Sequence, residues 1–319
     1  MPHQPNTKDA GRLIRQMREA LELTQSQNWR FLSFAPPGHY YSPIPDFNDI
    51  NTAGYRHFDA SAKEIPGLHI NEDEQLRRID TFKKTTADIP WPTDGKDDTH
   101  RYHFDNLYFS YGDAVSLFGM MKEFEPRRVT EVGSGFSSAA MLDINEFVLT
   151  ESAEFTFIEP NADRLKTHLR KGDLEKIHLI EESVQRVDES TFSKLEQNDI
   201  LFIDSSHVSK AGSDVNYLIH RILPTLSDGV IIHFHDIMWP FEYPKKWLKA
   251  GRAWNEAYIL LAFLLFNHSF EILFFNSWLE RHHRDTIKQK LPIMLRQPDQ
   301  KMTLGNSSLW LKKKQNSVS

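Results

Sequence analysis

Five short apolar runs limit what this chain can fold into: Val129–Val132, Phe155–Ile158, Ile177–Ile180, Ile200–Ile203 and Val230–Phe234. Segments with helical spacing separate them: Ala114–Phe124 ahead of the first, then 137–146, 161–171, 188–196 and 212–224. Strands this apolar are buried on both faces, and their alternation with helices makes a parallel sheet covered on each side. The expectation is an α/β fold on a doubly wound, mostly parallel sheet. Helix 253–267, strand Phe270–Phe275 and a reversed terminal strand Ser308–Leu311 would bring it to seven strands.

Ligands bind such sheets at the carboxyl ends of the strands, so the residues there carry the functional information. The first run ends in Glu131-Val132-Gly133-Ser134-Gly135-Phe136-Ser137-Ser138, a tight glycine turn that lets the backbone approach a ligand closely. The second ends in Glu159, where a carboxylate can take both hydroxyls of a ribose. The third ends in Glu181-Glu182-Ser183, a polar corner suited to an adenine edge. The fourth gives Asp204-Ser205-Ser206-His207 and the fifth His233-Phe234-His235-Asp236. His233 and His235 alternate along one strand, so both point to the same face, with His235 nearer the end.

Composition closes several other routes. With no cysteine, disulfides, thiol nucleophiles and cysteine zinc sites are excluded, while 15 histidines leave imidazole chemistry open. A net charge of −6 argues against a broad nucleic-acid surface, and Lys312-Lys313-Lys314 reads as a solvated terminus. No secretory pattern opens the chain, and Tyr258–Phe266 is too short to span a bilayer, so a soluble cytoplasmic protein is expected. Residues 8–35 read as a helix, a proline-rich extended segment follows at 35–45, and 71–88 reads as another helix. The expected division is a helical and extended N-terminal accessory region over 1–112, a cofactor-binding domain over 113–312 and a flexible tail over 313–319. The apolar helix 258–266 could bury against its own sheet or against a second subunit.

The series of strand ends resembles the class I S-adenosylmethionine-dependent methyltransferases over roughly residues 102–311. The resemblance implies a Rossmann-like methyltransferase fold that binds S-adenosylmethionine through Glu131, Gly133, Ser134, Gly135, Ser137, Glu159, Ser183 and Asp204. It places the aromatic stretch Tyr102–Asp113 over the methionine end, with Tyr111 or Asn106 near the amino-acid moiety. Ser137 stands where many members carry a third glycine. More narrowly, Asp204-x-x-His207 with His235-Asp236 resembles metal-dependent O-methyltransferases, including those acting on sugar hydroxyls of macrolides. That likeness implies a divalent cation held by Asp204, His235 and Asp236, with His207 as general base. His235 replaces a common acidic ligand, and imidazole suits manganese, iron or zinc better than magnesium.

Trp239 and Tyr243, on the loop leaving the fifth strand, and Arg252 and Trp254, at the following helix, are candidates for contact with a sugar or small-metabolite acceptor. Two readings of other classes stay open. One is an iron oxygenase using His207, His235 and a carboxylate, which iron content and oxygen consumption would separate. The other is a cofactor-binding module without catalysis, favoured if His207→Ala changed no phenotype.

Overall fold

The computed structural model describes residues 19, 29–51, 61–96, 99–298 and 306–314. Most of the helix expected over 8–35 lies outside them. Seven strands make one sheet, in the order β3-β2-β1-β4-β5-β7-β6. They are β1 (Arg128–Val132), β2 (Glu154–Ile158), β3 (His178–Ile180), β4 (Ile200–Ile203), β5 (Ile231–Phe234), β6 (Phe270–Phe275) and β7 (Leu309–Lys313). All neighbours pair in parallel except β7, which runs antiparallel to both β5 and β6, as expected of the last strand. The chain starts at β1, winds outward to β3 and returns to β4 on the other side of β1. Loops leaving β1 and β4 therefore diverge, and a crevice opens between them.

The helices of this unit are α1 (Glu72–Thr85), α2 (Tyr111–Phe124), α3 (Phe136–Phe147), α4 (Asp163–His168), α5 (Ser190–Ser193), α6 (Asp214–Tyr217), α7 (Glu256–Leu264), α8 (Asn276–His282) and α9 (Arg284–Lys290). Every residue of α2 from Tyr111 to Met121 is buried. A helix apolar on all sides belongs inside, and its small residues set how near its neighbours come. At Gly119 an added Cβ would lie 2.4 Å from the Phe82 ring of α1. Strand β6 ends the sheet, and α1 covers that edge with side chains in place of another strand. Gln75 Oε1 accepts from Phe275 N–H at 2.8 Å, and Asn71 Nδ2 donates to Ile272 O at 3.1 Å. This hides an edge that would otherwise template aggregation.

The described residues fall into two compact units. One joins those up to Asn51 with Pro244–Ala253; the other joins those from Ser61 to Tyr243 with those from Trp254 onward. The first holds short helices at Trp29–Phe34, Phe47–Asn51 and Lys245–Lys249, and Arg252 stacks there on the Trp247 ring at 4.6 Å. The boundary therefore falls well before residue 112, because 61–112 contribute α1, the start of α2 and the loop packed on the sheet core. The lysine run is corrected too. Lys312 and Lys313 belong to β7, and Lys313 is buried, donating its ammonium to Pro224 O at 2.6 Å. No described helix is long and apolar enough to cross a membrane.

Candidate active site

Strand β1 ends at Val132, and Gly133 turns the chain with φ of 83°. A Cβ at this position would sit 1.8 Å from the carbonyl oxygen of Asp204, so only glycine lets the β1 and β4 loops pass. Beyond the turn, Ser134 N–H donates to Glu159 Oε2 at 3.2 Å, and Asn161 N–H donates to Oε1 at 2.8 Å. These bonds hold the carboxylate at the end of β2 beside the glycine turn while leaving it partly exposed. Gly133, Glu159, Ser183 and Asp204 all line one crevice of about 410 Å³. That volume lies in the range of small-molecule sites.

Glu131, Ser137 and Tyr111 take other places. Glu131 is fully buried beneath the turn, where its carboxylate accepts from Ser137 Oγ at 2.5 Å and from Ser138 Oγ. Ser138 Oγ in turn accepts from Gly135 N–H at 2.9 Å. Burial raises the Glu131 pKa to about 8 against the opposing pull of the serine hydroxyls. These residues brace the loop from below. Tyr111 is buried and stacked on Phe104 at 4.6 Å. Asn106 folds back on its own loop, accepting from Phe109 N–H at 2.8 Å and donating to Phe109 O at 2.8 Å.

Between β4 and β5 the structure gathers the expected acids and imidazoles. His207 holds a left-handed backbone (φ 59°), which directs its carbonyl to accept from Asn255 N–H at 3.0 Å and Glu256 N–H at 3.2 Å. Its ring lies beside Trp254, with centroids 4.3 Å apart. His207 Nδ1 is 2.8 Å from Glu256 Oε2, while Nε2 is 3.3 Å from Asp204 Oδ1 and 3.7 Å from Asp236 Oδ2. Burial alone would lower the His207 pKa, but Asp204 and Glu256 outweigh it and hold the ring well above the ordinary histidine range. Burial likewise opposes ionisation of Asp204, yet His235 and His207 together keep its pKa below the usual value. Glu256 is the member that the sequence reading missed. The signal was available, since it is the one charged residue in the otherwise apolar α7.

His235 is buried, 3.8 Å from Asp236 through Nε2, and the acids Asp204, Asp236 and Asp113 raise its pKa against burial. Asp236 also has a left-handed backbone (φ 56°) and accepts from Ser307 Oγ at 3.1 Å. His233 points into the core, stacked on Phe202 at 3.7 Å and bonded to Ser308 Oγ at 3.0 Å.

The acceptor candidates separate. Trp254 meets the His207 ring. Tyr243 is buried, and its hydroxyl accepts from Ala257 N–H at 3.1 Å, fixing the start of α7. Trp239 lines a different pocket, with its indole N–H donating to Ala62 O at 3.0 Å. Arg252 belongs to the other compact unit.

Residues 130–237, which hold the crevice and both strand-end motifs, match the family model described as a methyltransferase domain. An uncharacterized protein of Archaeoglobus fulgidus is 32% identical over 167 residues, 51% of this chain and 74% of that protein. This chain carries a methyltransferase domain. Among solved structures, the methyltransferase is similar to an SAH-bound methyltransferase of Podospora anserina at 17% identity, covering 63% of this chain and 78% of that one, with a TM-score of 0.38. It is also similar to a putative O-methyltransferase of Klebsiella pneumoniae at 11% identity, covering 75% and 90%, with a TM-score of 0.38. At these scores the likeness carries no weight beside the matched domain.

In this methyltransferase the expected cation site is not assembled. Among the described residues no group of three His, Asp or Glu side chains could hold a metal ion. That covers Asp204 with His235 and Asp236, and equally an iron site built on His207 and His235. The physical reason lies in His207, whose Nε2 occupies the gap between the Asp204 and Asp236 carboxylates.

Proposed function

We propose that this chain transfers a methyl group from S-adenosylmethionine to a hydroxyl of a sugar or small metabolite, with His207 as general base and no resident cation. The observation that carries the reading is the position of Asp204. It lines the crevice and also lies 3.3 Å from His207, so nucleotide site and base share a wall.

The crevice suits the donor. Gly133 lets the β4 loop close against the turn at the crevice wall, and Glu159 presents a carboxylate to ribose hydroxyls. When bound, the donor supplies a methyl group on a positively charged sulfur, open to in-line displacement. Asp204, on the crevice wall, offsets the cost of burying that charge. Glu256 fixes the His207 ring through Nδ1 and leaves Nε2 to face the acceptor oxygen. As the oxygen–carbon bond forms and the carbon–sulfur bond breaks onto sulfur, the hydroxyl proton passes to Nε2. Aligning the reacting atoms can supply roughly 7–11 kcal/mol, and a placed base roughly 10²–10⁴-fold.

Calorimetric titration with S-adenosylmethionine tests the reading, beside NAD as control and with or without EDTA. Saturable binding of S-adenosylmethionine, reduced by Glu159→Ala and indifferent to EDTA, is the expected result. Binding of NAD alone would overturn the reading, and loss of binding or transfer on chelation would overturn its metal-free form.

A further inference from the structure

The carboxyl edge of the sheet carries a second cavity, of about 630 Å³, which the donor reading leaves unused. It lies at the ends of β5 and β6. Met238 and Trp239 enter its wall directly after His235-Asp236-Ile237, and α8 supplies Glu280, Arg281 and His282. Its lining also includes Asn306, adjacent to Ser307, whose hydroxyl donates to Asp236 at 3.1 Å. The crevice touches the cluster through Asp204, and the second pocket borders it through Met238, two residues after Asp236, and through Asn306, next to the Ser307 that bonds Asp236.

The pocket is preformed. Trp239 is pinned by its indole N–H on Ala62 O and by its backbone N–H donating to Ser277 Oγ at 2.8 Å. Asn306 Nδ2 donates to Glu280 Oε2 at 2.6 Å and to Met294 O at 3.2 Å. The charges are uneven. Arg284 is neutralised by an ion pair with Glu280. Arg281 has no hydrogen-bond or ion-pair partner among the described residues and stands exposed at the rim. Two arginines against one glutamate leave a single uncompensated positive charge over a cavity of mixed polar and apolar lining.

We propose that this pocket is the acceptor site of the methyl transfer proposed above, and that it takes a hydroxylated small molecule bearing a carboxylate or phosphate, which Arg281 engages. An arginine at the rim suits either anion, because its planar fork donates two parallel hydrogen bonds. With the anion there, a hydroxyl of the same molecule reaches toward Asp236 and His207.

The test is calorimetry on the full chain, with and without saturating S-adenosylhomocysteine, using three probes: glucuronate, glucose 6-phosphate and glucose. One or both anionic sugars should bind at least about tenfold more tightly than glucose, the worth of one charge-assisted hydrogen bond. Which of the two binds identifies carboxylate or phosphate as the group. Arg281→Gln should bring them to the level of glucose and leave S-adenosylhomocysteine affinity and melting temperature unchanged. Equal binding of glucose, no binding of either anion, or anion binding unaltered in Arg281→Gln would each overturn the proposal. Anion binding without S-adenosylhomocysteine binding would keep the anion site and refute the methyl-transfer reading. The reverse pattern would refute only the acceptor site.

Discussion

Glu256 Oε2 lies 2.8 Å from His207 Nδ1, a buried carboxylate fixing the ring whose other nitrogen faces Asp204 and Asp236. Glu256→Gln keeps the shape and removes the charge, so the His207 pKa should fall toward its ordinary range. Because the folded value is raised, the stability His207 contributes is fully present below its unfolded pKa and is lost as pH rises through the folded one. The variant should therefore be less stable than the parent at acid to neutral pH and converge with it at alkaline pH, as read by melting temperature. Under the proposed mechanism the rising limb of kcat against pH also moves to lower pH. A limb that stays in place would remove His207 from the role of base.

Gly133→Ala should be among the most damaging single changes in the protein. Its Cβ would lie 1.8 Å from Asp204 O, and φ is 83°. Gly212 offers the control, with φ of 75° but nothing within 4 Å of an added Cβ. The Gly212→Ala cost should be the left-handed penalty alone, about 1–2 kcal/mol. Gly133→Ala should exceed that by several kcal/mol and abolish S-adenosylmethionine binding in calorimetry, because the β1 and β4 loops must part. Similar denaturation midpoints for the two variants would contradict this.

Much of this architecture was readable because burial writes itself into apolar runs. Strands β1 to β6 follow the apolar segments closely, and the reversal of β7 followed from its place at the end of a parallel series. Helices α8 and α9 went unseen, since Asn276–His282 is short and its apolar contacts rest on Trp278 and Leu279. Gly133, Glu159, Ser183 and Asp204 were legible because strand-end position alone brings them to one crevice. Glu131 was misplaced for a related reason: the strand end was right, but the pleat turns its side chain under the loop. Sequence spacing could not reveal that His207 would fill the gap between Asp204 and Asp236, since that depends on its left-handed backbone and on a partner 49 positions away.

Glu131 makes a pH prediction of opposite character to an ordinary acid. Its folded pKa is raised from 4.5 to about 8 by burial. Its favourable contribution is thus present below pH 4.5 and is lost as pH climbs through 8, with a slope of up to about 1.4 kcal/mol per unit. Glu131→Gln should flatten that part of the stability curve and be more stable than the parent at pH 9 in urea titrations. Parallel curves for variant and parent between pH 5 and 9 would show that Glu131 is ionised throughout.

Arg101 ties the segment before α2 to the sheet's helices. Its guanidinium pairs with Asp173 through two bonds of 2.6 and 2.7 Å, and with Asp143 at 2.9 Å and Glu146 at 2.8 Å. Asp143 is fully buried, and burial raises its pKa despite the donors around it. Arg101→Met strands that carboxylate, so a loss of about 3–5 kcal/mol is expected from chemical denaturation. Lysine cannot reproduce the fork, and Arg101→Lys should recover little of it. Adding Asp143→Asn to Arg101→Met should restore part of the loss, because it removes the stranded charge while keeping an acceptor for the Arg101 and Tyr102 backbone N–H groups. The acid limb supplies an independent readout. Burial opposes the ionisation of Asp173, but Arg101 holds its pKa below the usual carboxylate value. Its contribution is present above the unfolded pKa and disappears as pH falls through the folded one, so wild type and Arg101→Met should converge in acid. If the gap between them stayed constant down to pH 2, the loss would come from packing of the arginine stem and not from its charge.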